Sequence, residues 1–306
     1  MITEALLHCA GVGPAKLAKL HASGIRSWSD VLERPEQIPA GLRPSLVDSC
    51  QKAFTALHQN DIRFFVQQLA AQDKWRILSQ YCHEATYFDI ETTGLEYDAT
   101  ISVIVCWHRG QLHSFVEHEN LDDFLDLLDD VRLLVSFNGS SFDVPRVLDG
   151  FHIPDLPCPH LDVRWSCYHR GLTGSLKTIT DRLGFRRPAD LRLADGEMAV
   201  QLWNDWLRRR NQTARSLLLR YCGADVLLLK MLSHHLAAAP IPSAEDLWSA
   251  LHRTEGGTPG ESERTAGLQK RTQQSLESPR NSATVTGVSS QSGLSRLRAL
   301  RGRRRP

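Results

Sequence analysis

Three patterns of apolar and polar positions follow one another along the chain. Residues 1 to about 75 are rich in helix formers, broken by Gly11-Val-Gly-Pro14 and by a proline-rich stretch between Pro35 and Pro44. From about 80 to 240, strand-like and helix-like runs alternate. Residues 87–90 form a short β-prone run closed by Thr92-Thr-Gly94, and 101–107, rich in Ile and Val, is the clearest strand. His108-Arg-Gly110 reads as a turn into a partner strand at 111–116. Leu121, Phe124, Leu125 and Leu128 recur at helical spacing behind Asn120, taken as an N-cap, and 132–137 reads as a buried strand. Leu176, Ile179 and Leu183 form a helical face behind Ser175, and 198–210 and 214–235 read as two longer helices.

A hairpin followed by strands interleaved with helices indicates an α/β domain with a mixed sheet at 80–240. A small helical module at 1–75 precedes it. From about 254 to 306 the chain is Gly, Ser, Thr, Gln and Arg with few large apolar residues, the composition of a disordered basic tail.

Composition narrows the class. With 42% hydrophobic residues over 306 positions, a sizeable core is affordable to a soluble protein. The net charge of +1 is unevenly spread: six arginines crowd 296–305, leaving the preceding body mildly acidic. Seven cysteines lie scattered with no Cys-x-x-Cys pair, which argues for reduced thiols and against a zinc ribbon or iron–sulfur cluster. No basic region followed by a long apolar run opens the chain, and no stretch approaches the roughly 20 apolar residues that cross a bilayer. The expectation is a cytoplasmic protein with no membrane partner.

Chemistry concentrates in three segments. In Asp89-Ile-Glu91, alternation along a strand puts both carboxylates on one sheet face, where they repel each other with no lysine or arginine nearby in sequence. A divalent cation between them removes the difficulty. In Phe137-Asn-Gly-Ser-Ser-Phe-Asp143, an apolar strand ends at the turn signal Asn138-Gly139 and Asp143 begins the next helix. In Tyr221-Cys-Gly-Ala-Asp225, the i,i+4 spacing turns Tyr221 and Asp225 the same way, beside an apolar stripe of Leu217, Ala224, Leu228 and Met231. Four carboxylates from three separated segments suit Mg²⁺ or Mn²⁺. A pair of such ions would serve phosphodiester hydrolysis, with Tyr221 orienting water. Each feature alone is ordinary surface or turn chemistry; their joint occurrence in this order on an α/β scaffold is not.

Phe88-Asp-Ile-Glu-Thr-Thr-Gly-Leu95, Ser136-Phe-Asn-Gly-Ser-Ser-Phe-Asp143 and Tyr221-Cys-Gly-Ala-Asp225 resemble the three exonuclease motifs of the DEDD superfamily, and most of all its bacterial YprB-type ribonuclease H-like family. Pro159-His-Leu-Asp-Val163 and Gly174-Ser-Leu-Lys-Thr-Ile179 have the look of the same family. The resemblance, over about 87–236, implies a ribonuclease H-like fold and a 3′–5′ exonuclease with two metal ions held by Asp89, Glu91, Asp143 and Asp225. Tyr221, four before the last aspartate, matches the tyrosine subtype, although YprB-type proteins often carry histidine there. DNA and/or RNA, as single-stranded ends, would be the substrate, with Asn138 among the contacts.

Ala10-Gly-Val-Gly-Pro-Ala-Lys-Leu-Ala-Lys-Leu20 resembles a helix-hairpin-helix module. Gly11 and Gly13 allow a tight turn, Pro14 suits the first helical position, and the free amides with Lys16 and Lys19 would meet a nucleic-acid backbone. A helical cap packed on the catalytic domain is the plainer alternative. His160 and Asp162 are candidates for a supporting pair near the metals, while Trp203 and Trp206 are expected to pack rather than stack on bases. Two other functions fit the same residues: a catalytically silent nucleic-acid-binding protein, and a structure-specific endonuclease.

Overall fold

The computed structural model describes residues 1–251 apart from Leu95 and Tyr97. The described residues belong to one compact unit. The expected basic tail therefore lies outside the described residues, as does Leu95 of the first motif.

Five strands make one sheet: β1 (Ala85–Thr92), β2 (Ile101–His108), β3 (Gln111–Val116), β4 (Leu133–Ser136) and β5 (His160–Asp162). Their order is β3-β2-β1-β4-β5, with β1–β2 and β2–β3 antiparallel and β1–β4 and β4–β5 parallel. The hairpin turn between β2 and β3 falls where His108-Arg-Gly110 places it, Arg109 and Gly110 both taking positive φ (47° and 85°). β5 lacks a signal of its own in the sequence, because three residues are too short to show alternation.

Twelve α-helices are described: α1 (Pro14–Ala22), α2 (Trp28–Glu33), α3 (Arg43–His58), α4 (Ile62–Gln68), α5 (Trp75–Tyr81), α6 (Asp123–Leu128), α7 (Asp143–Gly150), α8 (Val163–His169), α9 (Leu176–Arg182), α10 (Gly196–Arg209), α11 (Gln212–Ala237) and α12 (Ala244–Leu251). α9 starts after Ser175 as expected, and Ser175 caps it, its hydroxyl accepting from the Thr178 amide at 3.2 Å. Asn120 does not cap α6, whose N-cap is Asp122. Its side chain instead accepts from the Val116 amide (2.9 Å) and donates to the Ser114 carbonyl (3.0 Å), tying the chain back onto the end of β3.

Strand alternation sorts the core into two layers. Tyr87, Val103, Val105, Leu133 and Val135 share one core with the buried residues of α11, including Leu227 and Met231. On the other face, Phe88, Phe115 and Phe151 gather round Phe124 of α6 at centroid separations of 5.5–6.2 Å. Asp89 and Glu91 have the parity of Tyr87, so they face α11. The N-terminal helices join the same buried cluster through Ile77, Leu78 and Tyr81 of α5. Trp28 lies at the centre of that segment, fully buried, its indole donating to the Ala5 carbonyl.

Candidate functional site: a cleft of carboxylates

β4 is shorter than β1. It pairs with β1 only from Ala85 to Tyr87, so beyond that point one edge of β1 has no strand beside it. The sheet opens a crevice at the carboxyl end of its central strand, the position where parallel sheets place ligands. β1 also carries a bulge here: Glu91 pairs with Val103 but Thr92 pairs with Ile101, and bulges re-aim side chains beside active sites.

Asp89 and Glu91 lie on β1, and Asp143 and Asp225 come near enough for their charges to act on Asp89. Asp143, at the first position of α7 and only 4% exposed, accepts from the Ile90 backbone amide, an amide that β4 is too short to reach. Gly139 makes that approach possible, since a Cβ there would lie 2.0 Å from Ser136 Oγ and 3.3 Å from Asp143 Oδ2. Asp162 fixes the loop between them: its carboxylate accepts from the amides of Asn138 (2.8 Å) and Ser140 (3.0 Å). Asn138, at φ 67°, also accepts a hydrogen bond from Arg164. His160 sits 2.8 Å from the Ser136 hydroxyl through Nε2, and burial pushes its pKa down to about 4, leaving the ring neutral near pH 7. The expected supporting residues thus hold the loop that carries Asp143.

The acids feel one another strongly. Burial first, then the charges of Asp143, Asp225 and Glu91, push Asp89 well above the ordinary carboxylate range. Glu91 is raised by burial and then by Asp225 and Asp143. Burial lifts Asp143 to about 7. Such mutual repulsion in a desolvated crevice is costly unless protons or a cation relieve it.

Asp225 differs. Arg187, itself buried, grips it with a two-pronged ion pair, Nε to Oδ1 at 2.8 Å and a terminal nitrogen to Oδ2 at 2.7 Å. Burial still raises the Asp225 pKa, and Arg187 opposes the rise. The same guanidinium lies 4.7 Å from the centre of the Tyr221 ring and donates to the Ala194 carbonyl. Tyr221 is buried, and its hydroxyl is held protonated by burial and by the neighbouring charges of Asp225, Glu91 and Asp89. Among the described residues, Asp89, Glu91 and Asp143 have no such ion pair.

Two participants escaped the sequence reading. Arg187 comes from the loop after α9 and has no motif to announce it. Cys222 lies inside the third motif, and its thiol is 3.7 Å from Asp89 Oδ2. Asp89, Glu91 and Cys222 offer ligand atoms within 4.8 Å of one another. Burial raises the Cys222 pKa well above its usual value, so the sulfur stays a protonated donor toward Asp89, and hard divalent ions would take the oxygens.

Beyond Asp225, a cavity of about 270 Å³ is lined by Lys177, Arg186, Arg187 and Arg192 with Asp181 and Leu228. Gly11, Gly13, Lys16 and Lys19 form a separate group around the start of α1. Gly11 is left-handed (φ 82°), Gly13 is the N-cap and Pro14 takes the first position. Lys16 turns inward, its ammonium donating to the Gly11 carbonyl at 2.8 Å. Trp203 and Trp206 are buried, as the packing expectation required.

The sheet order and the acid-lined crevice define a ribonuclease H-like fold. In agreement, a family profile described as RNase_H superfamily matches residues 86–237. Among solved structures, the chain is similar to the family B DNA polymerase from the hyperthermophilic archaeon Pyrobaculum calidifontis, at 16% identity and a TM-score of 0.39. That match covers 51% of this chain and 27% of the polymerase, so the chain spans about a quarter of the polymerase's length. No curated protein matches the sequence. No helix among the described residues is long and apolar enough to cross a membrane.

Proposed function

We propose that the protein is a divalent-metal-dependent nuclease, acting as a 3′–5′ exonuclease on single-stranded ends of DNA or RNA. The observation that carries this reading is the set of three buried carboxylates, Asp89, Glu91 and Asp143, raised above their ordinary pKa range with no salt bridge of their own among the described residues, even though Arg187 acts on Asp89 and Glu91 from its ion pair with Asp225. The donor set fits Mg²⁺ or Mn²⁺: oxygen ligands, buried, and under a repulsion that a cation would relieve. Asp89, Glu91, Asp143 and Asp225 would hold the ions, which when bound supply an activated water and charge stabilisation for phosphodiester hydrolysis. Asp225 takes part through the lone pairs that Arg187 leaves free.

The remaining roles fall to this chain's own groups. The protonated Tyr221 hydroxyl orients the attacking water from beside Glu91 and Asp225. Arg187 opposes the protonation of Asp225 and brings positive charge to where a scissile phosphate would sit. The cationic cavity of Lys177, Arg186 and Arg192 favours a polyanionic substrate. The turn at Gly11–Gly13 with Lys19 would add backbone contacts that carry no sequence preference.

Incubation of the protein with 5′-labelled and circular DNA and RNA, in Mg²⁺ and in Mn²⁺, tests the reading. A ladder shortening from the 3′ end, with circles left intact, is expected. Cleavage of circles would assign an endonuclease, and binding without turnover in either metal would assign a silent nucleic-acid-binding protein.

A further inference from the structure

α8 wears its aromatic residues on the wrong side for a packed helix. Ser166 and Cys167 are buried, whereas Trp165 and Tyr168 are 55% and 57% exposed. Their rings meet edge to face at 5.9 Å. Among the described residues the exposed aromatic rings are these two and Phe142, the residue immediately before Asp143. Large exposed rings with no packing duty are a cost that a binding surface explains.

Both rings line a groove of about 660 Å³ whose walls also include Phe137, Asn138, Arg164 and Ser175. The groove adjoins the segment that leads to Asp143, since Phe137 and Asn138 of its wall immediately precede Gly139. Asn138 lines it, and the next residue, Gly139, is the one where a Cβ would stand 3.3 Å from Asp143 Oδ2. Arg164, bonded to Asn138, adds a cation to the same groove wall as the rings. Flat rings accept bases of any identity on their faces, while a guanidinium accepts the phosphate between them.

We infer that the Trp165–Tyr168 groove is a stacking subsite for unpaired bases, holding the single strand that runs out of the carboxylate crevice. The inference rests on the nuclease reading for its substrate class. A duplex would not fit it, because paired bases keep their faces stacked on one another.

The test measures binding rather than turnover. Asp89→Asn protein in Mg²⁺ is titrated into a fluorescein-labelled twelve-residue oligothymidylate and into a blunt twelve-base-pair duplex, reading anisotropy. Replacing Trp165 and Tyr168 together by alanine should weaken single-strand binding at least tenfold. It should also abolish the gain in affinity on lengthening the strand from two to six residues, with duplex binding altered less than twofold. Restoring rings as Trp165→Phe with Tyr168→Phe should recover most of the affinity. Unchanged single-strand affinity, or an equal loss on the duplex, overturns the inference. As a check independent of any alanine variant's folding, the Asp89→Asn protein with otherwise native sequence is photocrosslinked to an iodouracil-substituted strand. Adducts on Trp165 or Tyr168 are expected, and adducts confined to other residues overturn it. Hydrolysis by the wild-type chain is read separately. A chain that stacks strands without cutting them defeats only the nuclease reading, and one that cuts without using the rings defeats only this inference.

Discussion

The two halves of the carboxylate crevice solve the same electrostatic problem differently. On the β1 side, burial raises Asp89, Glu91 and Asp143, and Asp143 and Asp225 add their charges to the rise of Asp89 and Glu91. On the α11 side, Asp225 is neutralised by Arg187 within the fold itself. A buried acid with a built-in partner serves structure in every condition, whereas three without one are tolerable only where something external completes them. The contrast teaches that the β1 half is where a cation is demanded and the α11 half is where charge is already balanced.

The largest effect that could break this contrast is on catalysis. Asp89→Asn or Asp143→Asn should each lower hydrolysis by about a thousandfold or more. Each should leave the metal-free protein as stable as wild type or more so, because a repelling charge is gone; thermal melts in EDTA check the second half. On the α11 side the signs differ. Arg187→Met leaves Asp225 buried and unpaired and should cost about 3–5 kcal/mol in denaturant unfolding, while Arg187→Met combined with Asp225→Leu should cost much less.

The pH response sharpens the comparison further. The folded-state pKa of Asp143 is raised to about 7. Its penalty is therefore absent below the ordinary carboxylate range, builds as pH climbs through 4 to 7, and is complete above 7. Metal-free protein should lose stability between pH 5 and 8 by on the order of a few kcal/mol from this group. Saturating Mg²⁺ should flatten or reverse the slope, and Asp143→Asn should show a shallower one that keeps the share of Asp89 and Glu91; melts across that range provide the measurement. The smallest effect belongs to the loop. Gly139→Ala forces Ser136 and the Asn138 turn aside, and should reduce hydrolysis about tenfold with a stability loss of roughly 1–3 kcal/mol, read from initial rates and chemical denaturation.

Much of this architecture was legible in the sequence because it rests on local periodicity. β2, β3 and their turn, Asp143 at a helix start, the start of α9 behind Ser175 and the long α11 all follow from spacing over a few residues. The pairing of Asp89 and Glu91 on one face follows from strand alternation alone. Arg187 was invisible because its partner lies 38 residues away and nothing local distinguishes it from any exposed loop arginine. Asn120 misled because a residue that caps helices also closes turns by the same side-chain hydrogen bonds. Trp165 and Tyr168 left a readable trace in retrospect, three apart on a helix whose small residues face inward. Their significance came only when the groove joined them to Asn138.

Calorimetric titration of Mn²⁺ into the metal-free chain tests the demand for a cation most directly. Wild-type protein should bind with proton release that grows as pH falls toward 7, and protein carrying both Asp89→Asn and Asp143→Asn should show no binding in the same range. A wild-type chain that binds no ion, or a doubly substituted one that binds as well as wild type, would contradict the account.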